Sequence, residues 1–172
     1  MNVIVSEALT AANVNQLQEL SKSTFTETFS SSNSETNLNA YLNKAFNLDC
    51  LTAELNNVNS KFYFAVSDDQ PIGYLKLNFA DAQTELQDHS SLEIERIYVL
   101  KEFHGAKVGQ LLFSKAVEMA KACDLKYIWL GVWEKNTQAL NFYKKNGFVQ
   151  FDQHIFKMGD EEQTDYMMKL IL

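Results

Sequence analysis

The sequence predicts one α/β domain with a strand–helix–strand crossover at its centre. Three observations carry that expectation. The chain has 172 residues, the length of one compact domain. Hydrophobic residues make up 46% and charged residues 22%, enough apolar surface to offset chain entropy. Near the middle, the alternating string LEIERIYV is followed by the helical pattern LLFSKAVEMAKAC and then by the apolar run KYIWLGVW. Two strands joined through one amphipathic helix form a crossover unit.

The elements follow in order. Val3 to Glu7 reads as a short strand. Asn13 to Phe29 places Val14, Leu17, Leu20, Phe25 and Phe29 near helical spacing. Ser34 is an N-cap candidate before Leu38, Tyr41, Leu42 and Phe46 on one helical face. A further turn or helix runs from Asp49 to Asn56. Lys61–Ser67 and Ile72–Phe79 form a hairpin around the turn DDQP, and Ala80–Ser91 is a polar loop. Leu92–Val99 is the first crossover strand. Leu111, Leu112, Ala116, Val117 and Ala120 mark the crossover helix, and Lys126–Trp133 suits a strand buried on both faces. Asn136–Lys145 is a short helix stopped by Asn146-Gly147. Phe148–Met158 and Thr164–Leu172 read as strands around the acidic turn GDEEQ.

Composition excludes several partners. A net charge of −7 is the wrong sign for nucleic acid or an anionic membrane surface, and it favours a cationic small molecule. Cys50 and Cys123 lack zinc or CxxC spacing, and no metal site is expected from the scattered His89, His104 and His154. Cys123 lies on the apolar helix and is expected to be buried and inert. The string MNVIVSEALTAANVNQL lacks the pattern of a leader peptide, and no run approaches membrane-spanning length, so a cytoplasmic protein is expected. A homodimer is compatible with the sequence but is not read from it.

Between the first crossover strand and its helix lies a loop bracketed by Gly105 and Gly109, with Lys107 between them. The first N–H groups of a helix lack internal partners, and the helix dipole adds positive charge there. Such a tip accommodates a pyrophosphate; its other reading is a tight turn with no ligand. GxxxxGK[ST] and GxGxxG are both absent. Glu93 and Glu95, two apart on one strand, face the same way, whereas Arg96 faces the other way and reads as a structural ion-pair partner.

The strings LEIERIYVLKEFHGAKVGQLLFSKAVEMA and NTQALNFYKKNGF, in that order with an apolar strand between them, resemble the two signatures of the GNAT superfamily of N-acetyltransferases. LEIERIYV, IWLGVWEKN, FYKKNGFVQ, MGDEEQTD and the stretch Thr24–Phe46 further resemble bacterial spermidine/spermine N-acetyltransferases. The resemblance implies a mostly antiparallel central sheet flanked by helices, with one parallel strand pair splayed to hold acyl-CoA. It also implies one catalytic domain over residues 1–172 and acetyl-CoA as cosubstrate. The acceptor it implies is a small polyamine. Another amine acceptor, or a non-catalytic acyl-CoA sensor, is the alternative.

Residue by residue, the resemblance assigns the pantetheine and thioester carbonyl to the backbone of Ile97, Tyr98 and Val99. The pyrophosphate loop becomes His104, Gly105, Ala106, Lys107, Val108 and Gly109, followed by Gln110. His104 stands where the family has Gln or Arg, and Lys107 where it has its first glycine. Lys107 therefore either costs affinity or offsets the loss with its own charge. Asn136 is a pantetheine ligand or a helix N-cap. Lys144 and Lys145 are candidates to reach a phosphate. Tyr143 is the general acid toward the leaving thiolate.

An amine with a pKa of roughly 10.4 must lose a proton before attack, a cost of roughly 4–5 kcal/mol at neutral pH. Glu95 is expected as the base, with Glu93 second. The acceptor pocket is expected from the N-terminal helices and the polar loop, with Phe25, Glu27, Tyr41 and Tyr74 as its candidates.

Overall fold

A computed structural model describes residues 2–7 and 11–172 of the chain. Met1 and residues 8–10, within the string read for a leader, lie outside the described residues. The order is β1 (Ile4–Glu7), α1 (Ala11–Phe29), α2 (Glu35–Ala45), α3 (Leu48–Asn56), β2 (Ser60–Ser67), β3 (Gln70–Phe79), β4 (Ser91–Val99), α4 (Val108–Ala122), β5 (Tyr127–Trp133), α5 (Thr137–Lys145), β6 (Val149–Met158) and β7 (Glu161–Ile171).

Local chemistry sets the boundaries. The Ser34 side chain accepts from Asn37 N at 3.2 Å and starts α2. Asn47 accepts from Cys50 N at 2.7 Å and starts α3. Both satisfy N–H groups that the helix itself leaves open. Asp68 and Asp69 take φ of 49° and 60°, the mirror-image turn that matches strand twist in a two-residue hairpin. The β6–β7 turn is shorter than the acidic string suggests. Met158 pairs with Glu161, so only Gly159 and Asp160 turn and Glu161–Gln163 belong to β7. Gly159, at φ 64°, supplies the left-handed residue there.

Seven strands form one sheet in the order β1-β2-β3-β4-β5-β7-β6. Every neighbouring pair is antiparallel except β4–β5. The sheet has a core on each face. Leu75, Leu77, Leu92, Ile94, Ile128 and Leu130 pack with Leu112 and Ala116 of α4. On the other face, Phe62, Phe64 and Tyr74 pack with Leu17, Phe25, Phe46 and Leu51 from the N-terminal helices.

Two expectations are corrected. Cys123 is exposed, because it follows Ala120, the last buried position of α4, and caps the helix end. Tyr74 is fully buried, stacked on Tyr98 at 5.9 Å. β3 is paired on both edges and roofed by the N-terminal helices, so Tyr74 belongs to the core and not to a pocket wall. Among the described residues, no helix is long and apolar enough to cross a membrane.

Candidate active site

β4 and β5 pair only through Ser91↔Tyr127, Leu92↔Ile128 and Glu93↔Trp129. Beyond Glu93 the two strands diverge, although β4 continues to Val99 and β5 to Trp133. Strand twist and the single helix crossover let the C-terminal ends separate once the ladder stops. The opening is part of a cleft of about 1240 Å³. Ile97, Tyr98 and Val99 line it from β4, and Gly131 and Val132 line it from β5.

At one end of the cleft stands the tip of α4. Gly105, Lys107, Val108, Gly109 and Gln110 border it; Ala106 is exposed on the same loop but does not. Lys107 occupies the left-handed region at φ 64° and is the residue before the first helical turn. The family's glycine slot is thus a positive-φ position that lysine fills with strain. A Cβ built on Gly109 meets nothing within 4 Å, so the first turn faces open space over its free N–H groups. These features fit the diphosphate of a coenzyme A.

His104 also borders the cleft, and its ring is held from two sides. Its Nε2 lies 2.8 Å from the carbonyl oxygen of Val99, the last residue of β4, and its Nδ1 lies 3.3 Å from the Gln138 amide of α5. The ring ties the free strand end to the neighbouring helix. Asn136 caps α5 by accepting from Ala139 N at 3.1 Å and also borders the cleft, so its two sequence readings coexist geometrically. Lys145 borders the cleft, whereas Lys144 is exposed and does not.

Tyr143 lies on the buried face of α5, between Phe142 and Phe148 at ring distances of 5.4 and 5.5 Å. It also borders the cleft. Burial alone pushes its phenol well above the usual range, so the group keeps a proton that it can donate.

The two glutamates occupy different environments. Glu93 is 2% exposed. Its carboxylate accepts from Thr84 N at 2.9 Å, Asn78 Nδ2 at 3.0 Å and the Thr84 hydroxyl. Burial raises its pKa, and the hydrogen bonds from Thr84 and Asn78 oppose the rise without cancelling it. Burial also raises Glu95, but Arg96 and Lys76 outweigh that and hold its carboxyl below the usual range. Lys76 Nζ is 2.6 Å from Glu95 and 2.9 Å from Glu54, and Arg96 is 2.9 Å from Glu95.

The expected opposition of Arg96 and Glu95 does not hold. Lys76 pairs with Arg96 and Leu77 with Ile94, so Glu95 is the extra residue of a β-bulge. The bulge breaks the two-residue alternation and turns both side chains to the side of the N-terminal helices. Arg96 is an ion-pair partner as expected, in a fork to Glu54 at 2.8 and 2.9 Å.

Phe25, Glu27 and Tyr41 border the cleft on the side of α1 and α2. Sequence reasoning missed Asn78, which holds both glutamates, and the β6–β7 pair His154 and Asp165. Asn78 was visible as a polar residue, with Lys76, inside the largely apolar run IGYLKLNF. Asp165 closes the string MGDEEQTD, but only the pairing of distant strands carries it to the cleft. Burial pushes the Asp165 carboxyl up to about 6, His154 opposing and Glu134 adding to the rise.

Residues 14–148 match the model of the acetyltransferase (GNAT) family. An uncharacterised N-acetyltransferase in the pepI 3′ region of Lactobacillus delbrueckii subsp. lactis is 42% identical over 153 residues, covering 89% of this chain and 88% of that one. A spermidine N(1)-acetyltransferase of Thermoplasma acidophilum is 23% identical over 165 residues, covering 94% and 92%. The crystal structure of the PaiA N-acetyltransferase from Thermoplasma acidophilum, in complex with coenzyme A, superposes with a TM-score of 0.83 over the whole of both chains at 21% identity. The family match and the 42% relative, each spanning most of the chain, place this protein in the GNAT family as an acetyl-CoA-dependent acyltransferase.

Proposed function

We propose that this protein transfers an acetyl group from acetyl-CoA to a primary amine of a small polyamine, by direct attack within a ternary complex, with residues 1–172 acting as one catalytic domain in the cytoplasm. The observation that carries this reading is the open β4–β5 seam, with Gly109 at one end and buried carboxylates beside the other. The net charge of −7 and the likeness to a spermidine N(1)-acetyltransferase support a cationic acceptor.

The bound cosubstrate supplies a thioester carbonyl as the electrophile. The chain's residues supply the rest. The backbone N–H groups within Ile97–Val99 that face away from β3, on the edge β5 leaves after Glu93, hold the arm and polarise the carbonyl. The α4 tip, with Gly105, Lys107 and Gln110, receives the diphosphate, and Asn136 and Lys145 steady the chain between. Lys107 adds a charge that offsets the strain of its backbone. Glu93 is the better base: its raised pKa narrows the gap to the amine, and the proton passes to it through a water. Glu95, held by two cations, contributes negative potential. The order expected from the sequence is thereby reversed. Tyr143 donates its proton to a hydrogen bond with the departing sulfur.

Acetyl-CoA consumption measured across spermidine, spermine, monoamines, an aminoglycoside and a peptide α-amine tests the reading. Turnover is expected to be best with the polyamines. Turnover confined to the peptide or the aminoglycoside would refute the polyamine assignment.

A further inference from the structure

Next to Gly131, on the face of the sheet that carries Glu93, the cleft holds a second polar group that the transfer step does not use. His154 of β6 pairs across the strands with Asp165 of β7. Its Nε2 is 3.8 Å from Asp165 Oδ2 and its Nδ1 is 3.7 Å from Glu85 Oε1. Both distances exceed a hydrogen bond, and His154 Nδ1 is buried with no hydrogen-bond partner among the described residues. Gly131 lets this pair come close to β5, since a Cβ there would sit 3.3 Å from His154 Cε1 and 3.8 Å from Asp165 Oδ2.

An independent feature points to a ligand. Gln163 lies two residues before Asp165, so both side chains leave the same face of β7. It is 8% exposed and borders the same cleft. Its Nε2 donates to Asn33 Oδ1 at 2.6 Å, which leaves Oε1 as the open acceptor of the amide. That oxygen is buried and accepts from nothing among the described residues. A buried acceptor left open is costly, and an N–H donor in the cleft removes the cost.

We propose that Glu85, Asp165 and Gln163 form a subsite for the second, non-reacting ammonium group of a diamine or polyamine acceptor. The inference rests on the reading of the cleft as an amine-acceptor site. An alkylammonium offers three N–H donors and no acceptor, which matches two carboxylates and one amide oxygen. From Glu93, opposite Trp129, to Gly131 the strand geometry gives a span of roughly 8 Å, from ~4.8 Å between strands and ~3.4 Å of rise per residue. The linker of a short diamine crosses a gap of that order. One amine then reaches the seam while the other is held, so the acceptor is bound at two points and oriented.

The test is calorimetric binding of propane-1,3-diamine, spermidine and propylamine to the full chain saturated with coenzyme A, with acetyl transfer to the same amines followed in parallel. Wild type is expected to prefer the diamines. Asp165→Asn and Glu85→Gln are each expected to weaken diamine binding about tenfold while leaving propylamine within twofold. Glu85 is 43% exposed at its side chain, so its variant keeps the fold whatever happens at Asp165. An unchanged diamine-to-monoamine ratio in both variants overturns the subsite while leaving the polyamine acetyltransferase reading intact. Absence of diamine binding and of diamine turnover in wild type overturns both.

Discussion

Lys107 and Asp165 show how one residue's environment turns into a measurable quantity. Lys107 sits at φ 64° where glycine has no Cβ penalty. Lys107→Gly is expected to raise stability by up to about 1 kcal/mol, the left-handed strain less the entropy that glycine adds to the unfolded chain, and urea unfolding at constant m-value reads this. Loss of coenzyme A affinity in the same variant would show that the lysine charge outweighs the strain. Asp165 has a carboxyl raised to about 6 against an ordinary 3.8. The folded state therefore holds this proton more tightly than the unfolded chain does. Its stabilising effect is complete below about pH 4 and is lost as pH rises to about 6. Asp165→Asn is expected to raise the melting temperature at pH 8 and to leave it unchanged at pH 3.5.

Tyr143 belongs to the same scale. Its phenol is buried without a charged neighbour, so removing the hydroxyl removes a donor and leaves the ring packing in place. Tyr143→Phe is expected to lower kcat by about 100-fold or more with little change in coenzyme A binding. A kcat within twofold of wild type would show that the hydroxyl does not meet the leaving sulfur.

At the scale of elements, the bulge in β4 and helix α3 meet through one network. Glu54 on α3 accepts from Arg96 and Lys76, and Glu95 completes the square of two cations and two anions. Lys76 is 4% exposed, and Arg96 also lies over the Phe46 ring at 5.2 Å. Charges this buried are costly unless each is matched. Glu54→Gln leaves two cations on one carboxylate and is expected to cost about 3 kcal/mol, read as a lower denaturation midpoint with the m-value unchanged. The network thus anchors the N-terminal helices to the strand that borders the cleft, and it keeps Glu95 ionised. The hydrophobic anchors were legible here: Leu112 and Ala116 were read from helical spacing, and both are fully buried. The bulge was not legible, because a strand pattern carries no mark of the one residue its partner skips.

For the whole molecule, the open seam is the feature on which binding depends. Gly109 meets no atom within 4 Å on its Cβ side, so Gly109→Val is expected to leave the melting temperature of the free protein nearly unchanged. In wild type, coenzyme A at 100 times its Kd adds about 2.7 kcal/mol of stability by mass action. In the variant that thermal shift is expected to vanish, because the new side chain fills the space over the helix tip. A full shift in Gly109→Val would place the diphosphate elsewhere.

The amino-acid sequence by itself determined the succession of strands and helices, the crossover around α4, the glycine loop and the helix that carries Tyr143. Each of these depends on periodicity, capping and turn chemistry within a few neighbouring residues, so local order suffices to read it. Tertiary structure alone decided where the β4–β5 ladder stops, that Glu95 and Arg96 turn to one side, that Tyr74 is core, and that His154, Gln163 and Asp165 reach the cleft. Those outcomes depend on register between strands far apart in the chain. A shift of one residue moves every side chain to the opposite face, and no local pattern records it.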